Sequence, residues 1–472
     1  MMNNISLFLD DRHLNVRENV KRVTHQAKQI QPELYVDPAT ELVNLSWGYP
    51  FVFFHLIMNK TIMLYQGWSI NRTVISNALA LAAYSEDGLH FKPLDMHQYA
   101  ISGKRLLSNQ VLPYQIEEYT FSEGQFFYLA DLPGERRYLA LCIYRGDKFD
   151  FKAYVFTSID GLSYQIDPDI YWHQGSDAPD YPISVVQDYH GGYLIYRRPR
   201  HADRRIAASR TSDFRCFTPP ELILQSDALD ASLTDFYGLS AFRYADYMMG
   251  LLMTYETPNY LVKDGKRVSG LPGHKFDGGP VIPQLVYSTD GSHFLRGERK
   301  SIIENFNFPC IYPTCIHIND SSIRTYASVT SEEHGRVTPG KGGIAIYEWR
   351  KDGFVSLRFS KEGGLIITRQ FVYHGGPLHF NINALQGEVK IQIGNDDNQL
   401  INGFSFDECR AFSGDETDHQ FKFDNRQITE LEGQILVISV MASSADLFSI
   451  TGEIEWITPY QALVIRQQKN LP

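Results

Sequence analysis

Ser85-Glu86-Asp87-Gly88-Leu89-His90-Phe91, Ser158-Ile159-Asp160-Gly161-Leu162-Ser163-Tyr164 and Ser288-Thr289-Asp290-Gly291-Ser292-His293-Phe294 are three copies of one pattern, and Ser209-Arg210-Thr211-Ser212-Asp213-Phe214 is a degenerate fourth. Each follows a strand-like run and supplies an Asp-Gly turn, or in the degenerate copy only the Asp, next to an aromatic residue. That is how a hairpin at the outer edge of a sheet is written. The copies stand about 50 to 80 residues apart, the length of a four-stranded blade with variable loops, and repeats of this size mark radial arrays. A weaker fifth unit reads from Ile344-Ala345-Ile346-Tyr347-Glu348-Trp349-Arg350 into Lys351-Asp352-Gly353. The expected fold is therefore all-β, with a five-bladed β-propeller over residues 35–355.

A chain of 472 residues exceeds what one core supports, so a second domain is expected. Strand-like runs such as Tyr138-Leu139-Ala140-Leu141-Cys142-Ile143-Tyr144 and Met248-Met249-Gly250-Leu251-Leu252-Met253-Thr254-Tyr255 are apolar on both faces and read as central blade strands. Past Gly353 the strands become shorter and alternate, as in Val389-Lys390-Ile391-Gln392-Ile393, which describes a C-terminal β-sandwich over 356–472. Residues 1–34 are a lead-in segment; within it Val16, Val20 and Val23 stand at helical spacing before Pro32, so a short helix is expected over 12–31.

Net charge of −11 lacks the basic face that phosphate backbones require, which argues against nucleic acid as a partner. The N-terminal residues show no basic region followed by a long apolar run, and no stretch of 18 apolar residues occurs, so neither a signal peptide nor a membrane partner is expected. Five scattered cysteines lack metal-ligand spacing and fit a reducing compartment, hence a cytoplasmic location with no metal and no cofactor. Aromatic content of 13% suits strands and also platforms for sugar rings.

Several stretches resemble bacterial proteins of the glycoside hydrolase family 32-like group: Leu7-Phe8-Leu9-Asp10-Asp11, Ser85-Glu86-Asp87-Gly88, Glu135-Arg136-Arg137-Tyr138, Ser176-Asp177 ahead of Gly192-Tyr193-Leu194-Ile195-Tyr196-Arg197, Asp235-Phe236-Tyr237, Gly353-Phe354-Val355-Ser356-Leu357 and Gly403-Phe404-Ser405. The resemblance implies a propeller of the family 32, 43 and 68 type followed by a sandwich, and a carbohydrate substrate. Two features depart from it. The Trp-Met-Asn-Asp-Pro-Asn-Gly motif that carries the fructosidase nucleophile is missing, and Tyr128-Leu129-Ala130-Asp131-Leu132-Pro133 lacks the Arg of an Arg-Asp-Pro triplet. The pair Glu408-Cys409 falls in the expected sandwich, away from any funnel. These departures point away from an invertase-like activity on sucrose or inulin.

Glycoside hydrolysis needs an acid for the leaving oxygen and a second carboxylate as base or nucleophile. In a propeller such groups converge from the starts of the innermost strands, which selects Glu41, then Glu118 or Glu123, then Asp177 and Asp235. Asp177, Asp235 and Glu41 are the expected catalytic residues, against the plainer reading that Asp in such loops caps turns. Trp47, Tyr49 and Tyr237 could stack on a sugar or simply fill the core. Arg197-Arg198-Pro199-Arg200-His201-Ala202-Asp203-Arg204-Arg205 is the one basic cluster. Arg197 and Arg205 would bind substrate if it bears an acidic or phosphorylated group, whereas an exposed charged hairpin is the plainer expectation. Gly335-Arg336-Val337-Thr338-Pro339-Gly340-Lys341-Gly342 nearly spells a phosphate-binding loop but has Gly where Ser or Thr is needed. Asn395-Asp396-Asp397-Asn398 lacks the spacing of a calcium loop and reads as a hairpin turn. The expected function is a glycosidase, with a glycoside phosphorylase or a non-catalytic sugar-binding propeller as alternatives; a homo-oligomer is left open.

Overall fold

The computed structural model describes residues 4–38, 48–68, 78–101, 103–132, 136–147, 150–169, 180–199, 204–231, 234–256, 260–263, 266–269, 279–304, 307–334 and 341–469. Among these the only α-helix is Pro459–Lys469; Ile428–Leu431 forms a 3-10 turn, and the rest is mainly strands and turns. The chain divides into two compact units, one of Gln26–His317 with Arg324–Glu348, the other of Met1–His25, Ile318–Ile323 and Trp349–Pro472. Among the described residues no helix is long and apolar enough to cross a membrane.

The larger unit is built from groups of four strands, the second with a short extra strand, Gln115–Ile116, paired to Tyr119–Tyr128. The first runs Phe51–His55, Lys60–Trp68, Ala78–Ser85, Lys92–Pro93; the second Tyr119–Tyr128, Tyr138–Arg145, Phe151–Ser158, Gln165–Ile166; the third Asp180–Gln187, Tyr193–Arg198, Ile206–Thr211, Glu221–Leu224. An eight-stranded sheet holds Thr234–Tyr244, Tyr247–Glu256, Val281–Ser288 and Leu295–Ser301, then Cys310–Ile318, Ser322–Thr330, Gly342–Arg350 and Lys28–Gln29. Its two halves meet in a single parallel pairing, Val281 with Cys310. The last group thus takes its outer strand from residues 28–29 and not from the residues after Asp352-Gly353.

Alternate residues of the inner strands enter different cores, as a period of two requires when both faces are covered. Ile62 and Leu64 join Phe121, Phe126 and Ala140, whereas Met63 and Tyr65 join Cys315, Tyr326, Ile344 and Ile346. Further clusters link the second group to the third through Leu141 and Ile195, the third to the fourth through Leu194 and Leu252, and the fourth to the fifth through Tyr255 and Tyr312. Five cores therefore join successive groups and return to the first.

The four repeats quoted above are one turn built four times, each between the third and fourth strand of its group. In the first, Gly88 N–H donates to Ser85 Oγ at 2.9 Å, and Asp87 Oδ1 accepts from Leu89 N at 2.9 Å and His90 N at 2.8 Å. Asp160 and Asp290 repeat these bonds with Ser158 and Ser288. In the degenerate copy Thr211, not Ser209, plays the serine's part, accepting from Phe214 N at 2.8 Å. The fourth turn residue is left-handed throughout, with φ of 74°, 77° and 74° at Gly88, Gly161 and Gly291 and 58° at Phe214.

The smaller unit has two six-stranded sheets. One orders Val20–Thr24, Val355–Phe359, Asp446–Gly452, His379–Asn383 and Asp415–His419, with Asn4–Leu7 also on Asp446–Gly452; the other orders Leu14–Glu18, Gly364–Thr368, Ile435–Ser443, Phe371–Tyr373 and Ile454–Trp456, with Glu388–Asn395 also on Ile435–Ser443. Phe380 and Ile450 of one sheet and Ile391 and Ile438 of the other share one core. The helix expected over 12–31 is not formed. Leu14 and Val20 are buried while Asn15 and Lys21 are exposed, so the chain alternates. β-branched valines favour strands, and Asn19, at φ 53°, turns the chain between two of them. The turn expected at Asn395–Asn398 is present: Asn395 Oδ1 accepts from Asp397 N at 3.0 Å, and Asp397 pairs with Arg466 at 2.7 Å.

Candidate functional site

Asp235 is the second residue of Thr234–Tyr244 and is buried. It stands opposite Tyr255 in the antiparallel pairing, and the register slips between Phe236 and Gly238, leaving Tyr237 as the extra residue of a bulge. Such a bulge re-aims a side chain and is frequent beside functional sites. Here it sends Phe236 into the core shared with the third group and Tyr237 into the core with Tyr255 and Tyr312. By alternation Asp235 shares the face of Tyr237 and Tyr255.

Around Tyr237 the rings of Tyr312, His334 and Tyr255 lie 5.1, 4.8 and 6.1 Å away, all edge-on. Tyr312 Oη and His334 Nδ1 are hydrogen-bonded at 2.9 Å. Two guanidinium groups cover the tyrosines: Arg198 lies 4.7 Å from the Tyr237 ring centre, and Arg204 lies 5.4 Å from Tyr237 and 4.8 Å from Tyr255. Burial, helped by Arg204 and Arg198, pushes the His334 imidazole down to about 3, so it is neutral at physiological pH. Tyr49, fully buried and left-handed at φ 41°, has its hydroxyl held protonated by burial, then by Tyr237 and Glu123, against the opposing pull of Arg198. That places Glu123, half-buried just after a register slip in Tyr119–Tyr128, at the same cluster.

Of the residues expected from sequence, the structure brings together Tyr49, Asp235 and Tyr237. Asp177, Glu41 and Trp47 lie outside the described residues, as does most of the phosphate-loop-like string at 335–340. The basic cluster is not a fully exposed hairpin: Arg197 and Arg198 are both buried at the end of Tyr193–Arg198. Adjacent strand residues face opposite sides, so Arg198 reaches Tyr237 and Arg197 faces away; Arg205 is half-buried, and Arg204 supplies the second guanidinium. Glu118 is exposed. Tyr255, Tyr312 and His334 escaped the sequence reading because each looks like an ordinary strand-end residue. Their signal was position alone: Tyr255 stands near the end of its strand, Tyr312 near the start of its own, and His334 shortly after Ser322–Thr330. Among the described residues no group of three His, Cys, Asp or Glu side chains is placed to hold a metal.

The cluster thus offers a buried carboxylate with a second half-buried one nearby, phenolic donors, a neutral imidazole and two cations. No sequence profile of a known family matches the chain, and no curated protein matches it in sequence. Among solved structures the chain is similar to several glycoside hydrolases. One described only as a glycoside hydrolase superposes with a TM-score of 0.46 at 13% identity, covering 70% of this chain and 92% of its own. A fructofuranosidase from Schwanniomyces occidentalis, complexed with fructosylnystose, gives 0.42 at 9% over 90% and 100%. The family 32 β-fructofuranosidase of Bombyx mori gives 0.38 at 10% over 95% of both. At such scores and identities the likeness assigns neither reaction nor substrate.

Proposed function

We propose that this protein is a glycoside hydrolase whose larger unit is a five-bladed β-propeller and whose smaller unit is a β-sandwich. The closed circuit of five cores between four-stranded groups supports the propeller, and two sheets sharing one core support the sandwich. The reaction is cleavage of a glycosidic bond in an oligosaccharide or small glycoside. The observation that carries this reading is Asp235: a buried carboxylate at the start of an innermost strand, beside a bulge that turns Tyr237 under two arginines. In it, Asp235 is one member of the acid/base pair, and Glu123, Asp177 and Glu41 are candidates for the other. All five cysteines are free thiols, which supports work in a reducing compartment such as the cytoplasm.

The test is turnover of nitrophenyl glycosides and natural oligosaccharides, with and without phosphate, by the wild type, Asp235→Asn and Asp177→Asn. Removing an acid/base carboxylate costs about 10²- to 10⁴-fold in rate. Full activity in Asp235→Asn would remove that residue from the mechanism. Acceleration by phosphate would make the enzyme a phosphorylase, and sugar binding without turnover would make it a lectin-like propeller.

A further inference from the structure

Arg204 differs from three other arginines that rest on aromatic rings, and from Arg243, which among the described residues lies unpaired over Tyr189 but is exposed. Arg296 stacks on Phe236 and is gripped by Asp230, Arg350 stacks on Phe448 and pairs with Asp415, and Arg426 stacks on Phe404 and pairs with Glu430. Arg204 lies over Tyr237 and Tyr255, and among the described residues its five N–H donors meet no carboxylate and no hydrogen-bond acceptor. Its position is nonetheless fixed: its carbonyl accepts from Phe236 N at 2.9 Å, tying the loop to the strand that carries Asp235. It is half-buried, and a cation partly withdrawn from water with its donors unfilled is costly unless something else fills them. Arg198 stands over the same ring from the other end of the loop. The positive field of the two reaches His334, whose imidazole burial and both arginines keep uncharged. Neither Asp235 nor Glu123 pairs with Arg204. A guanidinium fork matches the planar or tetrahedral oxyanion of a carboxylate or phosphate in two-point contact.

We propose that the site takes an anionic sugar, a glycoside bearing a carboxylate or phosphate group that docks on Arg204 while its ring lies against the tyrosines. For the word substrate this rests on the glycosidase reading above; for binding it does not.

Paired nitrophenyl substrates, glucuronide against glucoside and galacturonide against galactoside with the 6-phosphoglucoside added, are assayed with the wild type, Arg204→Met and Arg204→Lys. The wild type is expected to prefer an acidic member, and Arg204→Met to reduce that preference about tenfold to a hundredfold, with partial rescue in Arg204→Lys. The uronide and phosphosugar arms tell carboxylate from phosphate. In parallel, melting is followed with glucuronate, galacturonate, glucose 6-phosphate, glucose and inorganic phosphate. If no glycoside is cleaved but an acidic sugar raises the melting temperature of the wild type and not of Arg204→Met, the hydrolase reading falls and the anion site stands. A wild-type preference for neutral sugars, a preference unchanged in Arg204→Met, or stabilisation by no acidic sugar overturns the proposal. Stabilisation and acceleration by inorganic phosphate alone would overturn it in favour of phosphorolysis.

Discussion

The left-handed turn residue of the repeats shows how a single position carries two separate constraints. At Gly88 a Cβ would find its nearest neighbour 3.7 Å away, whereas at Gly161 it would lie 2.7 Å from Phe53 Cζ. Gly88→Ala is therefore expected to cost about 1 kcal/mol, the backbone penalty alone. Gly161→Ala should cost roughly 1–3 kcal/mol more through overpacking, and urea unfolding of the two variants measures the difference. Phe214 tolerates the same conformation because its ring is fully buried, so burial outweighs the strain. Cysteine exposure gives a second residue-scale expectation. Cys216 is exposed while Cys142, Cys310, Cys315 and Cys409 are buried, so alkylation of the native protein should add one label and alkylation after denaturation five, counted by mass spectrometry. Labelling of Cys310 or Cys315 at the native rate would contradict the packing described. At this scale the repeats were legible because their chemistry is local: Ser, Asp and Gly bond within a few residues. Arg204 was not, because its partners come from strands that begin 30 or more positions later, and nothing in Arg204-Arg205 says which of the two faces them.

Among the elements, the segment leading into Thr234–Tyr244 is fixed by ion pairs. Arg296 meets Asp230 in two bonds of 2.6 and 2.7 Å, and Arg299 meets Asp227 in two of the same lengths. Both members of the first pair are 5% exposed. Burial raises the Asp230 carboxyl, but Arg296 and Arg299 outweigh it and keep the group below its usual range. Arg296→Met removes both short bonds to the buried Asp230 and leaves it only Arg299, at 3.3 Å, which should cost about 1.5–3 kcal/mol, whereas the double variant Asp230→Asn with Arg296→Met should recover much of that loss. Chemical denaturation of the three variants tests it, and additive losses would show that the pair is not coupled. The misread helix over 12–31 belongs to this scale too. Valines at helical spacing also occur by accident in strands, and Val16 and Val23 are half-buried members of edge strands. Their partners, Ile367 and Ser356, are more than 300 residues away, so the pairing that overrides local spacing leaves no mark in the segment itself.

Taken whole, each unit carries a buried histidine that resists protonation. His334 is held down to about 3 by burial and then by two arginines, and His13, stacked on Trp456, is held at about 4 by burial and then by Arg12. Both values lie below the ordinary 6.5, so their share of stability is complete above about pH 6.5. It is lost as pH falls toward 4 and then 3, because the unfolded chain binds the protons first. Melting temperature should therefore fall steadily from pH 6.5 to 4, and His334→Gln should flatten that fall. A wild-type profile flat across this range would contradict both assignments. The division into units was legible only in part: the change of strand texture near Gly353 marks one crossing, but the first 25 residues belong with the last part of the chain, a return that no composition shift announces.

That return sets a timetable on the ribosome. Asn4–Leu7 pairs with Ser449–Gly452, so once made this strand waits for about 450 more residues before its partner exists, roughly 20 to 90 s at ordinary rates of synthesis. Through that interval Leu7 and Phe8, both destined for the interior, stay uncovered on a growing chain. A strand made early is thus sheltered late, and a holding chaperone would find its target there throughout.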